Sequence, residues 1–186
     1  MIIGFDIDGV VVDFDRHFVE TIEEETGIKT PYPPKEFIVS LPGVSRDKWL
    51  KLIKYVVDTA YTCGPIEGAF EAIEKIYKLT GEKVLFVTAR DPIIEKETLE
   101  SFNKFIGDSF PYEIRFTNFQ PKSTFLNDDI KYFVEDTKNQ ICEMSHKLER
   151  GFLIKNTWEN YYNIPLNITL INNLEDVFQF LKHTGV

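Results

Sequence analysis

The chain has 186 residues, 43% hydrophobic and 14% aromatic, enough to bury one substantial core and a small accessory unit. A formal net charge of −9 excludes a protein that grips a nucleic acid polymer through its phosphates, which takes clustered Lys and Arg, so a small anionic ligand would need local positive charge or a metal. No apolar run approaches membrane-spanning length, no basic segment precedes the short N-terminal one, and Cys63 and Cys142 lie far apart, so the expectation is a soluble, cytoplasmic protein with reduced thiols and no membrane partner.

In chain order, MIIGFDID reads as a first strand that stops on two acids, Asp6 and Asp8, and turns at Gly9. From about Asp15 to Gly64 no strand is evident, only two helical patterns, RHFVETIEEETG and SRDKWLKLIKYVVDTAY, joined by the proline-rich KTPYPPKEFIVSLPG. Ser45 is the expected N-cap of the second, with Trp49, Ile53, Val56 and Ala60 at helical spacing. GAFEAIEKIYKLTG puts Ala69, Ile73, Ile76 and Tyr77 on one face and stops at Gly81. KVLFVTAR follows as a strand, and DPIIEKETLESFNKFIG as a helix with Asp91 as N-cap, Pro92 at its first position and Gly107 as its stop. The strands YEIRFTN and KYFVEDT come next, then the helix TKNQICEMSHKLERG with Ile141, Met144 and Leu148 inward, the strands RGFLIKN and NITLIN, and the closing helix NLEDVFQFLKH.

Strands this continuously apolar are covered on both faces, and their alternation with helices predicts an α/β fold, a doubly wound Rossmann-like parallel sheet. The core is expected over 1–14 and 65–186, with 15–64 a small helical cap inserted after the first strand, over the carboxyl edge of the sheet.

Ligands of such sheets bind outside the carboxyl ends of the strands. Those ends carry Asp6 and Asp8, Thr88 and Arg90, Thr117 and Asn118, and Glu135 and Asp136, with Lys122 opening a helical turn before the fourth strand. Acids converging on one rim repel each other unless a cation joins them, and an oxygen-only donor set with no His or Cys nearby fits Mg²⁺. Carboxylate, hydroxyl and ammonium around Mg²⁺ suit a small-molecule phosphate ester, with one carboxylate attacking phosphorus.

FDIDGV, VTAR, PKS and VEDTKN, in this order, resemble the four motifs of the haloacid dehalogenase superfamily of phosphatases, a resemblance that spans nearly the whole chain. It implies that Asp6 is the nucleophile, forming an aspartyl-phosphate, and that Asp8 is the acid for the leaving oxygen and then the base for water. In that superfamily the acid at the place of Asp8 separates phosphate transfer from dehalogenation. The resemblance also gives Thr88 and Lys122 the phosphoryl oxygens, Ala89 and Arg90 a place against the substrate, and Mg²⁺ the ligands Asp6, Asp136 and the backbone carbonyl of Asp8, with Glu135 and Asn139 in its outer shell. Lys131, near the start of the fourth strand, competes with Lys122. Glu135 and Asp136 would also serve as helix-capping acids, a role compatible with metal binding.

Within the superfamily the chain is similar to the deoxyribonucleotidases and their bacterial and phage relatives, through Gly9-Val10, Asp13-Phe14, the cap position and the Pro65 to Ala69 entry to the next helix. In that family the aromatic at the place of Phe14 stacks on the nucleobase; packing between cap and core is the competing role. Trp49 is expected in the cap core, and NTWENYYN, 156–163, stands where the family has an aromatic and Asn on a rim loop. The implied substrate is a nucleoside monophosphate, with another small phosphate ester as the alternative, and the protein is a monomer or homodimer. Receiver domains, a different class, place their phosphate-accepting Asp on a later strand, with Thr and Lys after it, an order this chain lacks. A binding protein that kept the fold without catalysis is a third class, but none of the four motifs is broken.

Overall fold

The computed structural model describes residues 2–32, 41–156 and 159–185. Part of the proline-rich linker, 33–40, and Thr157 and Trp158 of the rim segment lie outside the described residues. The elements are β1 (Ile2–Phe5), α1 (Phe14–Thr26), α2 (Arg46–Asp58), α3 (Ala69–Thr80), β2 (Val84–Thr88), α4 (Glu95–Ile106), β3 (Tyr112–Phe116), β4 (Ile130–Glu135), α5 (Lys138–Met144), β5 (Arg150–Ile154), β6 (Ile168–Ile171) and α6 (Leu174–Thr184).

All six strands are parallel, in the order β3-β2-β1-β4-β5-β6. This is the doubly wound order, whose direction reverses at β1. Successive side chains alternate between two cores. Ile3, Phe5, Val84, Phe86, Tyr132 and Val134 pack with α3, α4 and α6. Leu85, Val87, Ile130, Phe133 and Leu153 pack with Ile141 and Met144 of α5 and with Leu148. A Cβ on Gly4 would collide with the Phe133 ring, so glycine is what lets β1 and β4 lie together there. The central strands are buried on both faces, whereas the edge strand β3, which carries Glu113 and Arg115, is only half-buried.

Most helix limits follow their caps. Asp13 caps α1 by accepting the Arg16 N–H, which starts that helix two residues before the sequence pattern does, and Ser45 caps α2 from Lys48. Gly81 closes α3 in the left-handed conformation. Three helices are shorter than expected, the first of them α2, which ends at Asp58 and leaves Ala60 to a 3₁₀ turn, Ala60–Thr62. Asp91 caps a 3₁₀ turn, Pro92–Ile94, with the α-helix starting only at Glu95, and α5 gives way to another 3₁₀ turn at Ser145–Lys147, though Leu148 stays buried.

Helices α1 and α2 have a core of their own, in which Phe18, Val19, Ile22, Leu41, Leu52 and Val56 surround Trp49, its ring edge-on to Phe18. The chain leaves and re-enters the sheet side by side. Asp13 N–H donates to the Gly64 carbonyl, Ile66 N–H to that of Val11, and Val12 bridges Pro65. Cys63 and Cys142 are free thiols, and no helix among the described residues is long and apolar enough to cross a membrane.

Candidate active site

Asp6 follows β1 directly, its N–H bonded to the Val134 carbonyl, so the strand ladder itself fixes where the carboxylate emerges. Its Oδ1 accepts the Ile7 N–H at 2.7 Å and its Oδ2 lies 2.7 Å from Lys122 Nζ. Lys122 opens a 3₁₀ turn, Lys122–Phe125, and its ammonium also donates to Glu135 Oε2 at 2.7 Å. Glu135 Oε1 accepts the N–H groups of Asp136 and Thr137, so both of its oxygens are engaged. Lys131, the competing lysine, is partly exposed and faces Glu149.

Burial, then the charge of Glu135, pushes the Asp6 carboxyl well above its usual range, against the pull of Lys122. Burial also raises Glu135, again against Lys122. Burial alone would lower Lys122, but Asp6 and Glu135 hold its proton more tightly than usual. Asp136, beside them at the end of β4, is pushed up to about 7, first by desolvation and then by the negative charge of Asp6.

Asp6, Glu135 and Asp136 each offer a carboxylate oxygen, all within 4.8 Å of one another. All three of these acids hold protons abnormally well despite the single ammonium beside them, and the donors are all oxygen. That set fits a hard divalent cation of the Mg²⁺ type. Glu135 spends its two oxygens on Lys122 and two backbone amides, and Asp6 spends its two on Lys122 and the Ile7 N–H. Asn139 is exposed in the first turn of α5. Gly9, at φ +75°, is pressed against the Asp136 carboxylate, where any Cβ would collide. The close approach that its glycine permits is therefore to Asp136.

Thr88 is fully buried at the end of β2, and its Oγ1 accepts the Arg90 N–H at 3.2 Å, which leaves its own proton to donate. The Ala89 carbonyl accepts the Phe119 N–H, pinning the loops after β2 and β3 together, and Thr117 is buried with its hydroxyl unpartnered among the described residues. Arg90 differs from the expectation of a substrate-binding arginine. Its guanidinium is buried and holds the Asp8 carboxylate in a two-pronged pair, Nε to Oδ2 at 3.0 Å and Nη2 to Oδ1 at 2.7 Å.

A cleft of about 380 Å³ opens over Gly9 and Asp136, within the range of small-molecule sites. One side carries Asp13, Arg16 and Tyr32. Asp13 Oδ2 accepts the Tyr32 hydroxyl at 2.8 Å and Arg16 Nε at 3.2 Å, and the Arg16 guanidinium lies 5.0 Å from the centre of the Tyr32 ring. Asn156 stands opposite and ties down the Asp136 carbonyl at 2.9 Å. Phe14 is not among the lining residues; its half-buried ring packs where the cap core meets the sheet core. Arg16 and Tyr32 escape a sequence reading because Tyr32 lies in the linker. The only local signal is Asp13 three residues before Arg16, an ordinary capping pattern.

No family model and no curated protein matches the chain. Solved structures do. A HAD family hydrolase from Deinococcus radiodurans with bound phosphate and sodium is 11% identical at a TM-score of 0.66, covering 100% of this chain and 96% of that one. The L-2-haloacid dehalogenase of Xanthobacter autotrophicus is 12% identical at 0.64, covering 98% and 99%, and a haloacid dehalogenase-like hydrolase from Streptococcus pneumoniae is 14% identical at 0.62, covering 96% and 97%. The fold is haloacid dehalogenase-like. These neighbours include both phosphate-binding and dehalogenating proteins, so the fold alone leaves the leaving group open.

Proposed function

We propose that the chain is a Mg²⁺-dependent phosphomonoesterase that works through a covalent phosphoryl group on Asp6, with nucleoside monophosphates as its substrates. The observation that carries the reading is the buried Asp6 carboxylate, ion-paired to Lys122 and facing Asp136 at the carboxyl ends of β1 and β4, with Asp8 two residues on. The bound cation, held by Asp6, Asp136 and the Asp8 carbonyl, would offset the charge that accumulates on the phosphoryl oxygens.

Asp6 Oδ attacks phosphorus while Lys122 and Thr88 hold the equatorial oxygens. As the ester P–O bond breaks, Asp8, which has taken a proton from solvent with the ester in place, gives it to the departing oxygen and returns to the carboxylate paired with Arg90. Asp8 then takes a proton from the water that attacks the phosphoryl-aspartate, which frees phosphate and restores Asp6. A halide needs no proton to leave, whereas an alkoxide does, so the second acid favours phosphate esters over haloacids. Tyr32, Arg16 and Asp13 offer a flat face and polar edges to the leaving nucleoside.

Phosphate release from ribo- and deoxyribonucleoside monophosphates, sugar phosphates and an aryl phosphate, with Mg²⁺ and with chelator, tests this reading. Metal-dependent turnover strongest on nucleotides is the expected result. Turnover confined to sugar phosphates would keep the mechanism and remove the nucleotide assignment. Turnover of none would remove the phosphatase reading.

A further inference from the structure

We propose that Arg90 is a positioning residue, which aims the Asp8 carboxylate for proton transfer by locking it to helix α4 and to the cap's point of return. The inference rests on the phosphatase reading of the same site. Four guanidinium bonds are made at once. Nε and Nη2 take the two oxygens of Asp8, Nη1 donates to Thr98 Oγ1 at 3.2 Å, and Nη2 also donates to the Ala60 carbonyl at 2.9 Å. Thr98 is fully buried in α4, and Ala60, 2% exposed, begins the turn by which the chain leaves α2 for the sheet. That turn is held in its own right, since the Ser101 hydroxyl of α4 bonds the Tyr61 carbonyl at 2.7 Å.

Arg90 therefore does not reach out for substrate. A planar fork fixed by Thr98 and Ala60 presents two parallel N–H groups, and a carboxylate docked on them has one orientation. Asp8 is a quarter exposed and stands on the loop between β1 and the cap, where an unsupported side chain would sample several rotamers. Because Ala60 belongs to the cap's return, the group that moves the proton is set by the same contact that seats the cap. A lysine at 90 would keep the charge and lose the fork.

The chemistry supplies a readout that a merely structural role would not move. Proton transfer from Asp8 to the departing oxygen, as the Asp6–phosphorus bond forms, matters for an alkoxide and little for a nitrophenolate, which leaves unaided. The experiment measures kcat/KM, which reports steps through the first irreversible one, for para-nitrophenyl phosphate and for the alkyl phosphate turned over fastest, in wild type, Arg90→Lys, Asp8→Asn and the double variant. Arg90→Lys is expected to lose about 10²-fold on the alkyl ester and only a few-fold on the aryl ester. Asp8→Asn is expected to show the same split, and Arg90→Lys to add nothing in its background. Should Arg90→Lys fail to fold, Thr98→Val removes one of the fork's supports and is expected to give a smaller loss with the same split. Equal losses on both esters, or additive losses in the double variant, would overturn the assignment of Arg90. Wild type inactive on both esters would overturn the phosphatase reading beneath it.

Discussion

Lys122 Nζ lies 2.7 Å from Asp6, and with 1% of the lysine side chain exposed they meet inside the protein. Glu135 shares the same ammonium at the same distance, so one cation sits between two buried acids. Removing it strands both. Lys122→Met, similar in volume, is expected to lower stability by about 3 kcal/mol at neutral pH, and by less in acid, where Asp6 and Glu135 take up protons. Urea titrations at the two pH values check this; an equal loss at both would mean the pair carries no charge-dependent stability.

Asp136 ionises at about 7 in the folded chain against 3.8 for a free side chain. Between those values the folded state binds the extra proton, so the contribution of Asp136 to the stability of the metal-free protein falls as pH rises through that window and is constant above it. Asp6, also raised, acts in the same direction. A divalent cation competes with those protons, so its stabilisation grows with pH. Melting at about pH 5 and about pH 8, with and without Mg²⁺, is expected to show a lower metal-free Tm at the higher pH and a larger increment from Mg²⁺ there. Equal increments would remove Asp136 from the ligands.

Gly9 has φ +75° and lies against the Asp136 carboxylate. Gly9→Ala adds left-handed backbone strain and forces the carboxylate aside, at an expected cost of about 1–3 kcal/mol. Because Asp136 moves, affinity for Mg²⁺ falls with stability, which calorimetric titration reads. Unchanged Mg²⁺ affinity would separate Gly9 from the metal site.

Trp49 anchors the core between α1 and α2, which meets the sheet core at Phe14. Trp49→Ala is expected to cost about 3–5 kcal/mol in that unit, and hydrogen exchange to speed up across α1 and α2 while β1 and β4 keep their protection. Loss of protection throughout would mean that cap and sheet unfold as one.

The sheet was legible because its strands are short, mostly apolar runs, four of which stop at polar residues, Asp6, Thr88, Thr117 and Glu135, that are themselves buried. Asp6, Thr88, Glu135 and Asp136 stood out by that break in pattern and Lys122 by opening a helical turn between two strands, and the structure brings Lys122 between Asp6 and Glu135 with Asp136 beside them. What Arg90 does was not legible, because two of its partners leave no trace in a sequence: the Ala60 carbonyl is backbone, and Thr98 reads as an ordinary helix residue. Nor was the fit of Gly9 to Asp136, which depends on the spacing between β1 and β4. The half-burial of β3 follows from its place at the edge, and strand order is a property of the crossovers, invisible in the strand itself.

The most direct measurement is the mass of the peptide containing Asp6 after acid quenching of the protein during turnover of a phosphate ester with Mg²⁺. A phosphoryl adduct on Asp6, absent in Asp6→Asn, which folds but does not turn over, is the expected result. Turnover by Asp6→Asn, or an adduct on another residue, would contradict the account.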